Sequence, residues 1–409
     1  MQRSSGEFIS YKPIPAFQLL KEIKNLSELM INLAYCSVFF ADKTLTEEIR
    51  KIEERIDYLK SILIMQAALA TRDARDAERL VSIFDFTLAL DKISDAAGDI
   101  SGLAEDGIFI NIGSEDIFPS TTTTLTYALK VSKDSSYNGK RIRELYDVLQ
   151  GVFDVIAVRR EAQYILTPNE DFKIVDGDVL FVIGLAGSIK KLASLSGFRR
   201  EGGLVRVEEG LVDSFIHLKN ISELMIDLAY SALFTRSREL ADELEELEDT
   251  LDELTREFKV NVMNSKRLTN LEKIALLEIA DACESIGDAA MDMTYSLRRG
   301  LEPHPIIDSV LENTEERLSL IRVGKNMAGR DIISLELDRM GMEVLAMKRG
   351  SEWLITPPLS GIKLREGDIL LIRYYSEAEP LLSKIASRDL REEIKRNVQE
   401  SEEKEWRRE

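Results

Sequence analysis

Apolar residues recur at three- and four-residue steps through the first hundred positions. Leu26, Leu29, Met30, Leu33, Ser37 and Phe40 share one arc at 3.6 residues per turn, which predicts a helix from about Phe17. Leu45, Ile49, Ile52, Ile56 and Leu59 predict a second, with Thr44 and Glu47 as a capping box at its start. A third runs from about Ala74 to Leu103, with Phe86, Ala89, Ile93, Ala97 and Ile100 on its apolar face. Long helices joined by short loops predict an antiparallel bundle.

Past Gly107 the period shortens. Leu125 to Val131 alternates as a strand does, Tyr137-Asn-Gly-Lys140 signals a turn, and Arg141 to Leu149 fits a short helix. Val152 to Val158, Gln163 to Leu166 and Val179 to Ile183 read as strands, the last entered through the tight turn Asp176-Gly-Asp178. Ser188 to Leu195 fits a closing helix. These elements make a small α/β domain ending near Gly197.

The whole plan then returns. Lys24-Asn-Leu-Ser-Glu-Leu-Met-Ile-Asn-Leu-Ala-Tyr35 comes back as Lys219-Asn-Ile-Ser-Glu-Leu-Met-Ile-Asp-Leu-Ala-Tyr230, ten of twelve positions identical at a spacing of 195. That marks a tandem duplication. Helices follow at Leu218 to Arg236, Ser237 to Glu257 and about Leu268 to Arg299, where Gly300-Leu-Glu-Pro-His-Pro305 stops the last. The second α/β unit spans about Leu318 to Ser387. Its Gly329-Arg-Asp-Ile, Ile355-Thr-Pro357 and Lys363 to Leu370 mirror Gly139-Lys-Arg-Ile, Leu166-Thr-Pro168 and Lys173 to Leu180. Phe198 to Gly210 reads as a hinge, and Asp389 to Glu409 as a charged helix fraying into disorder. Related domains tend to pair, so the two α/β units are expected to meet about a pseudo-twofold axis.

Composition narrows the function. A chain of 409 residues, 44 % apolar, has room for about two to four domains. Its net charge of −19 repels nucleic-acid phosphates and anionic lipid, so neither is expected as a main partner. Two cysteines, Cys36 and Cys283, suggest a reducing compartment, and two distant histidines, His217 and His304, argue against a His-rich zinc site. No apolar run reaches the roughly 18 residues of a membrane span, and no signal-peptide core follows Met1. A cytoplasmic protein without direct membrane insertion is expected.

Two groups of residues carry candidate chemistry. Glu223 and Asp227 on the first helix of half two, with Glu284, Asp288 and Asp292 on the third, stand at four-residue spacing; half one has Glu28, Asn32, Asp91, Asp95 and Asp99 there. Such spacing stacks carboxylates on one helix face. Oxygen ligands suit Mg²⁺, Ca²⁺, Mn²⁺ or iron, although a solvated acidic stripe has the same pattern. Arg160 and Arg349 end equivalent predicted strands, where a guanidinium fork can grip a phosphate or simply face solvent. No Gly-rich phosphate loop is present and no Ser/His/Asp or Cys/His set repeats, so a non-catalytic protein is expected.

The Glu/Asp-x-x-x-Asp pattern on the first and third helices resembles the PhoU family. That resemblance implies a multinuclear metal cluster, of divalent or iron cations, held by Glu223, Asp227, Glu284 and Asp288 with Asp292 a turn on, and by Glu28, Asp91 and Asp95 in half one. Asn32 departs from it by putting a neutral oxygen where half two has Asp227. The α/β units resemble the TrkA-C (RCK-C) family. The motifs are His304-Pro-Ile-Ile, Gly329-Arg-Asp-Ile, Val344-Leu-Ala-Met-Lys-Arg349 and Gly367-Asp-Ile-Leu, with Gly139, Val158-Arg-Arg160 and Gly177-Asp-Val-Leu in half one. This implies paired domains whose groove takes a small effector, cyclic di-AMP in some members, here through Arg160 and Arg349. No Gly-x-Gly-x-x-Gly accompanies them, so the nucleotide-binding Rossmann half of full potassium-channel regulators is missing.

The expected fold is therefore mixed α and α/β. PhoU-like helical bundles at 17–107 and 212–300 alternate with RCK-C-like domains at 108–197 and 301–387, before a charged tail at 388–409. The expected function is regulation of a membrane cation transporter or channel, most directly for potassium, by a protein free to form homo-oligomers. A PhoU-type phosphate-signalling protein and a metal-dependent hydrolase are the alternatives.

Overall fold

The computed structural model describes residues 10–111 except 41, 124–149, 153–185, 189, 191–192, 205–206, 209–313, 316–375 except 336, 341, 351 and 356–360, and 382. It forms two compact units, each built from two separate stretches of chain: 1–112 with 203–314, and 113–202 with 315–409. Segments that alternate along the chain thus collect by type.

The first unit is helical. Half one supplies α1 (Ala16–Phe39), α2 (Leu45–Ala70) and α3 (Ala74–Glu105). Half two supplies α5 (Glu209–Thr235), α6 (Arg238–Asn264), α7 (Asn270–Met293), the single turn α8 (Tyr295–Arg298) and α9 (Pro305–Glu312); α4 lies in the other unit. Each set of three long helices packs on itself, and α3 packs against α7 to join the sets. Side chains at Leu33 to Phe39 are buried without interruption, so the end of α1 is covered all round. The sequence pattern predicted one buried arc; the second copy covers the rest. Phe215 of α5 sits against both Tyr35 and Phe39, at ring-centroid distances of 6.4 and 5.7 Å.

Local chemistry sets the helix ends. The expected capping box at Thr44 does not form: the Thr44 hydroxyl and N–H both donate to Asp42 Oδ1, at 2.7 and 3.2 Å. A full capping box stands instead at α7, where Thr269 and Glu272 satisfy each other's backbone N–H. Helix α6 runs seven residues beyond the expected Glu257. After the Gly300–Pro305 break the chain re-enters a helix with Pro305 at its first position, where the missing N–H costs nothing. This α9 packs on α1 and α5, so the helical unit extends beyond residue 300 to 314.

The span read as a hinge also contributes structure. Val205–Arg206 (β6) pairs in parallel with Ile110–Asn111 (β1), just where the chain leaves the helical unit and where it returns.

The second unit holds two antiparallel sheets of the same design. Strands β2 (Thr124–Lys130), β3 (Phe153–Arg160), β4 (Gln163–Leu166) and β5 (Val179–Leu185) lie in the order β2-β5-β3-β4, with α4 (Ile142–Leu149) between β2 and β3. Strands β7 (Glu316–Arg322), β8 (Met342–Arg349), β9 (Glu352–Leu354) and β10 (Ile369–Tyr375) repeat it as β7-β10-β8-β9. Both sheets carry a bulge at the equivalent place, with Ile156 and Leu345 as the extra residues. Each last strand is entered through a glycine in the left-handed region, Gly177 at φ 90° and Gly367 at φ 96°, where a side chain would be strained. The expected closing helix at 188–195 falls mostly outside the described residues, and the tail at 388–409 falls wholly outside them.

Candidate functional site

The repeated twelve-residue stretch lies where the two helical halves meet. Lys24 is almost fully buried; it donates to Glu28 at 2.6 Å and lies 4.8 Å from the centre of the Tyr230 ring. Lys219 does the same, donating to Glu223 at 2.6 Å and lying 5.0 Å from the Tyr35 ring. The lysine that opens each copy therefore rests on the tyrosine that closes the other. A cation over an aromatic face in a desolvated site is favourable by about 2 kcal/mol. Tyr35 also lies 3.6 Å from Cys283 Sγ, and burial pushes the thiol up to about 11.

These contacts place the first-helix acids. Glu28 and Glu223 each hold the lysine one turn before them. Asn32 donates to the Glu28 carbonyl at 3.0 Å, and Asp227, half-buried on α5, accepts Ser231 through its carbonyl at 2.6 Å. The third-helix acids are also met by lysines. Lys60 of α2 bonds Asp91 at 2.6 Å and Asp57 at 2.8 Å. Lys259 of α6 bonds Glu284 at 3.2 Å and pairs with Asp281. Lys92 crosses from α3 to α7 and meets Asp288 at 3.0 Å and Asp292 at 3.3 Å.

An ammonium thus stands at most positions where a cation was expected, and among the described residues no three His, Cys, Asp or Glu side chains gather so as to hold a metal ion. As placed, Glu28, Asp91, Glu223, Glu284, Asp288 and Asp292 each pair with a lysine that a bound cation would have to displace, with Asp95 and Asp227 one turn along from Asp91 and Glu223.

A different pair of acids emerges from the second helices. Burial first, then the charges of Asp95, Asp57 and Asp99, raise the Glu53 carboxyl above its ordinary value. Glu248, its counterpart at the 195-residue spacing, is raised in the same way by burial, Asp252 and Asp288. Asp95 is raised by partial burial and by Asp91. The signal was in the sequence as Glu53-x-x-x-Asp57 and Glu248-x-x-x-Asp252, which repeat the four-residue spacing on the second helix.

The two arginines end β3 and β8, as their spacing predicted. Arg160 grips Asp178 with Nε and Nη2, both at 2.8 Å, and Nη2 also donates to the Lys173 carbonyl at 2.8 Å. Arg349 grips Asp368 at 3.0 and 2.7 Å and reaches the Lys363 carbonyl at 2.9 Å. The Asp178 side chain is fully buried and that of Asp368 nearly so. Burial alone would raise the Asp368 carboxyl; Arg349 and the Arg365 N–H outweigh it and hold it below the usual value. Each arginine thus bolts the Asp-Gly-Asp or Glu-Gly-Asp turn to the end of its own central strand. Only Nη1 of each guanidinium stands outside these bonds.

Residues 215–296 match the PhoU domain and residues 126–197 match the TrkA-C domain. The chain thus carries one segment that matches PhoU and one that matches TrkA-C, and it mixes a helical unit with small antiparallel sheets. Among solved structures it is similar to PhoU from Pseudomonas aeruginosa, at 13 % identity over 73 % of this chain and 96 % of that one, with a TM-score of 0.37. It is also similar to the GsuK channel, at 14 % identity over 65 % of this chain and 53 % of that one, with a TM-score of 0.17. The GsuK RCK domain matches at 16 % identity over 64 % and 63 %, with a TM-score of 0.17. The chain thus spans about half the length of the GsuK channel. No curated protein matches it.

Proposed function

We propose that this protein is a non-catalytic, cytoplasmic regulator of a membrane cation transporter or channel, with potassium as the transported ion. The observation that carries the reading is the joining of a TrkA-C domain and a PhoU domain in one chain. On this reading the chain is a duplication into four alternating domains, and the sheets sense a small effector while the helical unit transmits the change to the transporter. No helix among the described residues is long and apolar enough to cross a membrane.

The effector is read as a phosphate-bearing small molecule such as a cyclic dinucleotide. Arg160 and Arg349 can offer it Nη1 without releasing Asp178 and Asp368. A thermal-shift screen of nucleotides and cyclic dinucleotides in which none raises the melting temperature removes this part of the proposal.

The decisive experiment is affinity capture of the tagged full chain from detergent-solubilised native membranes, with identification of what is retained. A cation transporter or channel subunit is expected. Recovery of phosphate-transport components alone overturns the potassium reading in favour of phosphate signalling, to which the PhoU domain also lends itself. Capture of no membrane protein above the untagged control overturns both.

A further inference from the structure

The free end of the α6–α7 hairpin differs from the chain as a whole in polarity and in charge. Val260 and Met263 stand three apart at the end of α6, and Leu271 and Ile274 stand three apart at the start of α7. Residues at that spacing share a helix face. The four are 50–58 % exposed. The link between the helices buries Ser265 and Leu268 and turns Lys266 and Arg267 outward. Lys273 donates to the Met263 carbonyl at 2.7 Å, which fixes its charge beside the end of α6. The only acid in 260–274, Glu272, is closed onto the Thr269 N–H at 2.7 Å.

Three basic side chains against one acid mark this tip in a chain whose net charge is −19. Average charge argued against anionic lipid as a partner, but a field is felt locally, within about 10 Å at 0.1 M salt.

We propose that this tip rests on an anionic lipid surface. Val260, Met263, Leu271 and Ile274 enter the boundary between headgroups and acyl chains, and Lys266 and Lys273 face the lipid phosphates, with Arg267 adding to the local positive charge. The end of a helical hairpin is convex. A lipid surface closes around protruding aliphatic side chains without needing a groove. Interfacial binding strengthens with buried apolar area and with attraction to anionic lipid, and this tip supplies both. The acidic remainder of the chain is repelled by the same surface, which orients the molecule tip-down.

The other hairpin lacks the combination. Leu69 at its tip is 70 % exposed, but the neighbouring Arg72, Arg75 and Arg79 are balanced by Asp73, Asp76 and Glu78, with Arg72 bonded to Asp76 at 2.8 Å. The inference does not depend on which transporter the protein serves, because lipid alone is the probe.

The test is co-sedimentation of the full chain with vesicles of phosphatidylcholine alone and of phosphatidylcholine with phosphatidylglycerol, at low salt. The protein should pellet with the anionic vesicles and stay in solution with the neutral ones. Met263→Ser/Ile274→Ser and Lys266→Glu/Arg267→Glu should each lower the bound fraction by about tenfold. The control Leu69→Ser/Arg72→Glu should bind as wild type, and unchanged melting curves would show that all variants fold. Wild type that ignores anionic vesicles, or tip variants that bind like wild type, overturn the proposal. So does a wild type that ignores lipid but forms an oligomer that the tip variants break in sedimentation velocity, since the tip is then a contact between copies.

Discussion

The residues that recur along the chain behave in opposite ways in the two units. In the helical unit the repeated residues act on the other copy: Lys24 sits over Tyr230 and Lys219 over Tyr35. In the sheets the repeated residues act within their own copy: Arg160 grips Asp178, 18 residues on, and Arg349 grips Asp368, 19 residues on. The difference follows from what each copy can bury alone. A four-stranded sheet with its Asp-Gly-Asp or Glu-Gly-Asp turn can satisfy a buried carboxylate locally. A helix as apolar as α1 cannot hide all its faces behind two partners, so the second copy must complete it. Recurring residues therefore make an interface in one place and two separate clamps in the other.

The largest effect expected from breaking this comparison comes from the clamps. Arg160→Ala and Arg349→Ala each leave a buried aspartate without its guanidinium. Each should cost about 2–4 kcal/mol, toward the lower figure because both guanidinium groups are partly exposed. If each clamp closes only its own sheet, the double variant should show the sum within about 0.5 kcal/mol in chemical denaturation. A large departure would show that the sheets are coupled after all. The Arg349 contribution is also pH-dependent. The folded Asp368 carboxyl is held below its ordinary value, so its stabilisation is present above the ordinary aspartate range and is lost as pH falls through the depressed value.

A smaller effect tests the helical interface. A double-mutant cycle on Lys24→Met and Tyr230→Leu should return a coupling of about 0.5–2 kcal/mol, while Lys24 with Tyr35 of its own copy should return almost none. Coupling confined to the same copy would refute the reciprocal arrangement.

The smallest effect concerns the acids, where the copies differ. Lys92 of half one reaches Asp288 and Asp292 of half two, and its counterpart in half two is Ser285. Half one keeps Glu53 beside Asp57, Asp95 and Asp99. A carboxyl whose folded value is raised costs stability when charged, fully above the raised value and not at all below the ordinary glutamate range. Glu53→Gln should therefore stabilise the protein at neutral pH by a few tenths of a kcal/mol, roughly one like-charge pair, and the gain should fade as pH drops through the raised value. Glu248→Gln should gain less, because Lys92 already offsets Asp288. Equal gains in thermal melts across pH would remove the asymmetry.

Much of this was legible in the sequence, and the parts that were not share a cause. Helical and strand periods located the long helices and most strands, because side-chain burial on one face repeats every 3.6 or 2 residues whatever lies opposite. The repeated twelve-residue stretch and the matching strand-end positions of Arg160 and Arg349 needed only comparison of the chain with itself. The partners of those residues were beyond such reading. That Asp178 lies buried against Arg160 could not be read from the spacing. Nor could it show that Lys219, Lys259 and Lys92 stand beside Glu223, Glu284 and Asp288. Glu53 went unnoticed because two of its acidic neighbours, Asp95 and Asp99, lie on a different helix. The sequence by itself determined the elements, their repetition and the chemistry available at each position. Only the tertiary structure decided that like segments collect into two units and that most of the candidate charges are neutralised from within. Pairing of charges depends on distances across the fold, and a one-dimensional period carries no information about those.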